Sequence, residues 1–243
     1  MRRIALSIVC IFMAVMVACD DDPTAPDYDI SSMRWFFLVA DDSGLYALGE
    51  MDGSGVETYY SQAALWLPWP MAAGMTFAGD LFGIPTMYTV SATQETVDTA
   101  VGTYSEACDI TAGGYAWSAN YFVEGSGFVL LRRGGGRSYS EYLLAGIQLN
   151  PAEDQAAETF ALAMGNRWDY SMFGNDSNGR EYAGEARYEI TGRKMVSQME
   201  TYVFSMRSSY SWTDGLPDSG GAVGNESPSR RIEPRPEHSL RSR

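Results

Sequence analysis

The sequence predicts an all-β fold: a twisted antiparallel sheet, curled into an incomplete barrel or packed as a sandwich. Three observations carry that expectation. Short β-prone runs alternate with glycine-, aspartate- and asparagine-bearing turns from about residue 30 to about residue 212. Tyrosine and tryptophan are abundant, and a sustained 3.6-residue apolar stripe is almost absent. The stretch Glu185-Ala186-Arg187-Tyr188-Glu189-Ile190-Thr191 alternates strictly. On a strand, period two puts Ala186, Tyr188 and Ile190 on one face and Glu185, Arg187 and Glu189 on the other, so one face of this sheet meets water.

The chain opens on what reads as a bacterial lipoprotein signal over residues 1–18. Arg2-Arg3 precede an apolar run over residues 4–18 that ends in Met16-Val17-Ala18-Cys19, and Asp20-Asp21-Asp22-Pro23 follow. The run is short of the roughly 20 apolar residues that span a bilayer. Small Ala18 before a cysteine suits cleavage after diacylglycerol has been added to the thiol. An uncleaved anchor helix and an ordinary secretory signal are the competing readings. Cys19 is the expected lipidation site, and two acyl chains suffice for stable attachment. The expected place of the protein is therefore a bacterial cell-envelope membrane, inner or outer left open. Residues 19–27 form an acidic tether, residues 28–214 the β domain, and residues 215–243 a tail too poor in apolar residues to fold.

Within the β domain the elements follow in order. Arg34-Trp35-Phe36-Phe37-Leu38-Val39 reads as a strand closed by the turn Asp41-Asp42-Ser43-Gly44. Residues 45–48 and 56–60 flank the turn Asp52-Gly53-Ser54-Gly55. Residues 86–90 and 94–97 alternate as strands. Residues 115–123, the turn Glu124-Gly125-Ser126-Gly127 and residues 128–132 make a hairpin, with residues 142–149 as its neighbour. Asn150-Pro151 either opens a short helix through Glu158 or begins a polar linker. Asn178-Gly179 between β-prone flanks is a hairpin turn, since both residues accept positive φ. Residues 201–207 repeat the alternation, with Tyr202, Phe204 and Met206 inward.

Composition excludes several functions. A net charge of −14 excludes phosphate-backbone binding, which draws its affinity from cationic neutralisation, so no nucleic-acid partner is expected. The one histidine, His238, lies in the tail, which argues against a histidine-dependent triad, zinc site or imidazole base. Neither a cofactor nor a metal is expected; the sequence Asn175-Asp176-Ser177-Asn178-Gly179 lacks the acidic spacing of a calcium loop. Once Cys10 leaves with the signal and Cys19 is acylated, Cys108 is the free thiol, expected as a buried strand residue.

The ordered motifs carry a resemblance. Gly44-Leu45-Tyr46-Ala47-Leu48-Gly49, Leu67-Pro68-Trp69-Pro70, Gly74-Met75-Thr76-Phe77-Ala78-Gly79-Asp80, "VDTAVGTY" at 97–104 and "NYFVEGSGFVL" at 120–130 follow one another. In that order they resemble a β-rich module of uncharacterised bacterial envelope lipoproteins, with the pattern GLYxLG, lPxP, GxTWxGD, VPAGTF, YYxxGxGLV. The chain departs from it at Phe77 and at Ala100-Val101. Residues from about 165 resemble the strand pair that opens such a module, so the chain reads as one unit followed by part of a second. The resemblance implies an antiparallel β fold in the cell envelope and no activity.

The expected function is accordingly non-catalytic, either binding or structural work, by a lipid-anchored envelope protein. Two alternatives stand beside it. In one, the curled sheet carries a lipid or other apolar ligand in a sizeable cavity. In the other, two carboxylates among Asp41, Asp42, Asp52 and Asp214 converge on a glycan as acid and base. The best candidate contact surface is Leu65-Trp66-Leu67-Pro68-Trp69-Pro70-Met71. Its prolines keep it out of a central strand, so Trp66 and Trp69 are expected partly exposed, facing a protein partner, a ligand or the bilayer.

Overall fold

The computed structural model describes residues 33–113, 118–135 and 137–213. The signal, Cys19, the acidic tether, Trp117, Asp214, His238 and the tail lie outside the described residues. Twelve strands form one antiparallel sheet in the order β3-β2-β1-β12-β11-β10-β9-β8-β7-β6-β5-β4. Their ranges are β1 Arg34–Asp41, β2 Gly44–Asp52, β3 Glu57–Pro68, β4 Thr76–Leu81, β5 Ile84–Thr99, β6 Gly102–Ala112, β7 Ala119–Val123, β8 Gly127–Gly135, β9 Ser138–Gln148, β10 Arg167–Asn175, β11 Glu181–Val196 and β12 Met199–Trp212.

The sheet curls into a nearly closed barrel with one seam. Its end strands β3 and β4 lie side by side without a ladder between them; a Cβ on Gly79 would stand 2.9 Å from the Leu65 carbonyl oxygen. The fold class is thus all-β, and of the two predicted architectures the barrel is the one formed. The strands from residue 167 onward belong to the same sheet as the rest. β10 pairs with β9, and β12 pairs with β1 in the register Arg34↔Met206 to Leu38↔Tyr202, so they complete the same sheet.

Alternation decides what faces inward. Ala186, Tyr188 and Ile190 of β11 are buried in the core, as their parity requires. The outward set is charged: on β10, Asp169 accepts from Arg167 (Nε–Oδ2 2.9 Å) and from Arg187 across the ladder on β11 (Nε–Oδ1 2.8 Å). A bulge between Phe37 and Leu38 lets three consecutive β1 residues be buried. Phe36 and Leu38 enter the main core, whereas Phe37 joins Leu48 and Val196 in a separate small cluster.

Two chain segments fill the barrel from its ends. The tight β4–β5 turn inserts Phe82, which takes φ 57° and packs on Trp66 and Phe128 with ring centroids 5.0 Å apart in each case. At the opposite end the β9–β10 connection folds as a plug. Its helix α1, Gln155–Thr159, is capped by Asp154, whose carboxylate accepts from the Ala157 amide at 2.7 Å. Phe160, Ala161, Leu162 and Ala163 then turn into the core. The apolar cavity left inside, between residues such as Trp66, Phe128, Trp168 and Tyr188, is about 30 Å³. That is room for one or two waters and not for an acyl chain, so the sizeable cavity a lipid carrier needs is absent from this space.

Candidate functional site

Strand directions divide the barrel into two ends. Because all pairs are antiparallel, β1 begins and β12 finishes at one end, which we term the entry end. The turns at Asp52–Val56, the β4–β5 turn and the Asp176–Arg180 hairpin lie there too. The far end carries the Asp41–Gly44 turn, residues 69–75, the β7–β8 turn and the plug.

The candidate contact segment leads to the far end, and its two tryptophans separate. Trp66 sits on β3 and is buried, with Phe36, Phe82 and Phe204 around it at centroid distances of 4.8, 5.0 and 5.9 Å. The expected exposure of Trp66 is therefore corrected. The prolines do confine β3 to an end of the sheet, but the inward face of an end strand is still core. Trp69 lies past the strand, half-buried, with its amide donating to the Ser43 carbonyl at 2.8 Å and a cis peptide to Pro70. Its indole packs edge to face on Phe160 of the plug, centroids 6.0 Å apart.

Beside Trp69 opens a cleft of about 320 Å³. Pro70, Met71 and Phe122 supply its apolar side; Glu106 and Glu124 are exposed carboxylates on its polar side. Phe122 is held from behind by Phe160 (5.9 Å) and Phe128 (5.4 Å), so the plug fixes both aromatic walls. Cys108 on β6 also lines the cleft. It is a strand residue as expected, but half-buried rather than enclosed, because the ladder β5–β6 shifts register around Asp109 and Ala107. Burial pushes its thiol above the ordinary value, and the charge of Glu124 adds to that.

Of the four carboxylates weighed as an acid–base pair, Asp214 lies outside the described residues, and Asp41 and Asp52 stand at opposite ends of the barrel. Asp41 at the far end accepts from the Ser43 hydroxyl and amide (2.6 and 2.8 Å) and from Gly44. Asp52 at the entry end accepts from the Ser54 hydroxyl and amide and from Val56. These bonds hold both carboxyls below the usual aspartate range, chiefly through the serine hydroxyls. Each closes its own turn, so neither faces a common substrate. Asp176 closes the Asn178-Gly179 hairpin in the same manner, accepting from Asn178 and Arg180 at 2.8 Å. No group of three or more His, Cys, Asp or Glu side chains able to hold a metal occurs among the described residues.

Sequence reasoning missed a different cluster, at the entry end beside the seam. A Cβ on Gly83 would stand 3.0 Å from Arg34 Nη1 and 3.6 Å from Glu50 Oε2. Burial raises the Asp80 carboxyl, Glu50 raises it further and Arg34 opposes them. Burial likewise pushes the neighbouring Tyr60 phenol up to about 12. These residues come from β1, β2, β3 and β4, so no local pattern announces them. Asn166 was missed for the same reason. It is buried, donates to the Ala161 carbonyl (2.7 Å) and accepts from the Asn150 amide (2.5 Å), tying down the plug.

No protein family, curated protein or solved structure matches the chain.

Proposed function

We propose that the chain is an exported envelope protein, held to a bacterial membrane by acyl chains on Cys19, whose barrel is a non-catalytic binding module. The observation that carries the binding reading is the contrast between two spaces: an apolar cavity of about 30 Å³ around Trp66 and Trp168 and an open cleft of about 320 Å³ beside Trp69. Ligand sites typically occupy about 300–1,000 Å³, so the cleft reaches that range and that cavity does not. The anchoring reading rests on the run before Cys19 and the aspartates after it. The two fit together, because the chain enters the barrel at one end and the cleft opens at the other.

Metabolic labelling with tritiated palmitate in a bacterial host tests the anchor. Label should enter the wild-type chain and be lost in Cys19→Ala, which should also keep residues 1–18 uncleaved and run as a heavier species. Equal labelling of both would overturn the anchor.

A further inference from the structure

The cleft's chemistry is more specific than its size. We infer that it binds an organic cation, an ammonium or guanidinium group carrying an apolar or aromatic portion, between the Trp69 indole and the carboxylates of Glu106 and Glu124. This rests on the reading of the cleft as the contact site and names its ligand class.

Charge and aromatic surface meet there. No lysine, arginine or histidine is among the residues lining the cleft, while two carboxylates are. The raised Cys108 thiol is consistent with that negative field, because Glu124 contributes to it from inside the same cleft. An anion or a phosphate-bearing ligand would meet repulsion and no donor charge.

A second observation concerns the aromatic rings elsewhere. This chain repeatedly lays its own cations over partly exposed rings. Arg180 stands 3.9 Å from the Trp212 centroid, Arg193 5.0 Å from Tyr202, Lys194 5.6 Å from Tyr59 and Arg132 6.0 Å from Tyr121. A ring face attracts a cation through its quadrupole, and indole does so best. Trp69 is half-buried, packs edge to face on Phe160 and shares the cleft with two carboxylates, yet no cation among the described residues covers it. The site has the aromatic half and the anionic half of a cation cage, and the cation is left to a ligand.

The test uses the full-length chain purified in detergent, with the alkylation rate of Cys108 by iodoacetamide read peptide by peptide. Three probes of similar size differ in charge: benzyltrimethylammonium, benzyl alcohol and benzoate. The ammonium should slow alkylation saturably, benzyl alcohol only weakly and benzoate not at all. The half-protecting concentration should rise about fivefold in Trp69→Leu, and by a similar factor in Glu106→Gln/Glu124→Gln. The second variant changes only exposed side chains, so it keeps the test sound if Trp69→Leu perturbs the fold. Benzyl alcohol protecting as well as the ammonium, or the double Gln variant binding unchanged, overturns the cation assignment and leaves the cleft as a contact site. Protection by none of the three probes overturns both.

Discussion

Two tryptophans three positions apart have opposite fates, and the difference gives the first prediction. Trp66 fills the barrel, and its indole N–H finds no acceptor among the described residues. Trp66→Ala should therefore cost about 3–5 kcal/mol in a urea melt. Trp66→Phe should cost much less, because it keeps the ring and removes a buried donor that is not satisfied. Asp80 makes a prediction about pH. Its folded carboxyl lies above the unfolded value, so its ionised form opposes folding wherever both states are charged. That penalty is complete above the folded pKa and disappears as pH falls through it toward the unfolded value near 4. Asp80→Asn should raise Tm at pH 7, and its advantage over wild type should vanish at about pH 4; a constant advantage at all pH values would assign the effect to packing. At this scale the turn aspartates were legible in the sequence, since Asp41, Asp52 and Asp176 bond within four residues of themselves. The burial of Trp66 was not, because Phe82 reaches it from the β4–β5 turn and Phe204 from β12.

Legibility among the elements follows the same physics. β11 shows its faces through strict alternation, and the structure keeps them. Cys108 was expected on a strand, but the bounds of β6 were not legible because its pairing with β5 shifts register at three places, which breaks the two-residue period that marks a strand. The predicted strands at 86–90 and 94–97 are one strand, β5, continuing through those irregularities. The helix after β9 starts at Gln155 rather than at Pro151, because Asp154 supplies the cap. Its sequence reads as polar, yet its purpose in the fold lies in the four apolar residues that follow. Asn166 fastens that plug, so Asn166→Ala should destabilise by about 2–4 kcal/mol, leaving the Ala161 carbonyl and the Asn150 amide without partners. Since Phe160 also backs Trp69, the same substitution should speed Cys108 alkylation. Unaltered alkylation in a destabilised Asn166→Ala would show that the plug does not shape the cleft.

For the whole molecule, sequence patterning reached the class and stopped before closure. Every ladder from β4 to β12 joins consecutive strands, and so do β1-β2 and β2-β3. Each of these is a local decision. The one pairing that makes a barrel of them is β1 with β12, which links Arg34 to Met206 and has no local signature. The residues at the seam carry the rest of the closure: Gly79→Val should push β4 away from the Leu65 carbonyl and lower Tm, with little change when Gly55, which faces open space, becomes alanine beyond the cost of its positive φ. The β1–β12 ladder also sets a timetable for synthesis. A chain made N-terminus first completes β1, β2 and β3 early, with Phe36, Leu38, Leu45 and Leu67 on the face that ends up buried. The strand that pairs with the free edge of β1 is the last in the chain, so the closing ladder waits for roughly 130 more residues to emerge, whether from the ribosome or across a membrane. A chain stopped at Val196 should therefore aggregate or stay bound to a holding chaperone, although it contains eleven of the twelve strands. The protein's vulnerable interval falls during its birth, and its length is set by the distance in sequence between the first strand and the last.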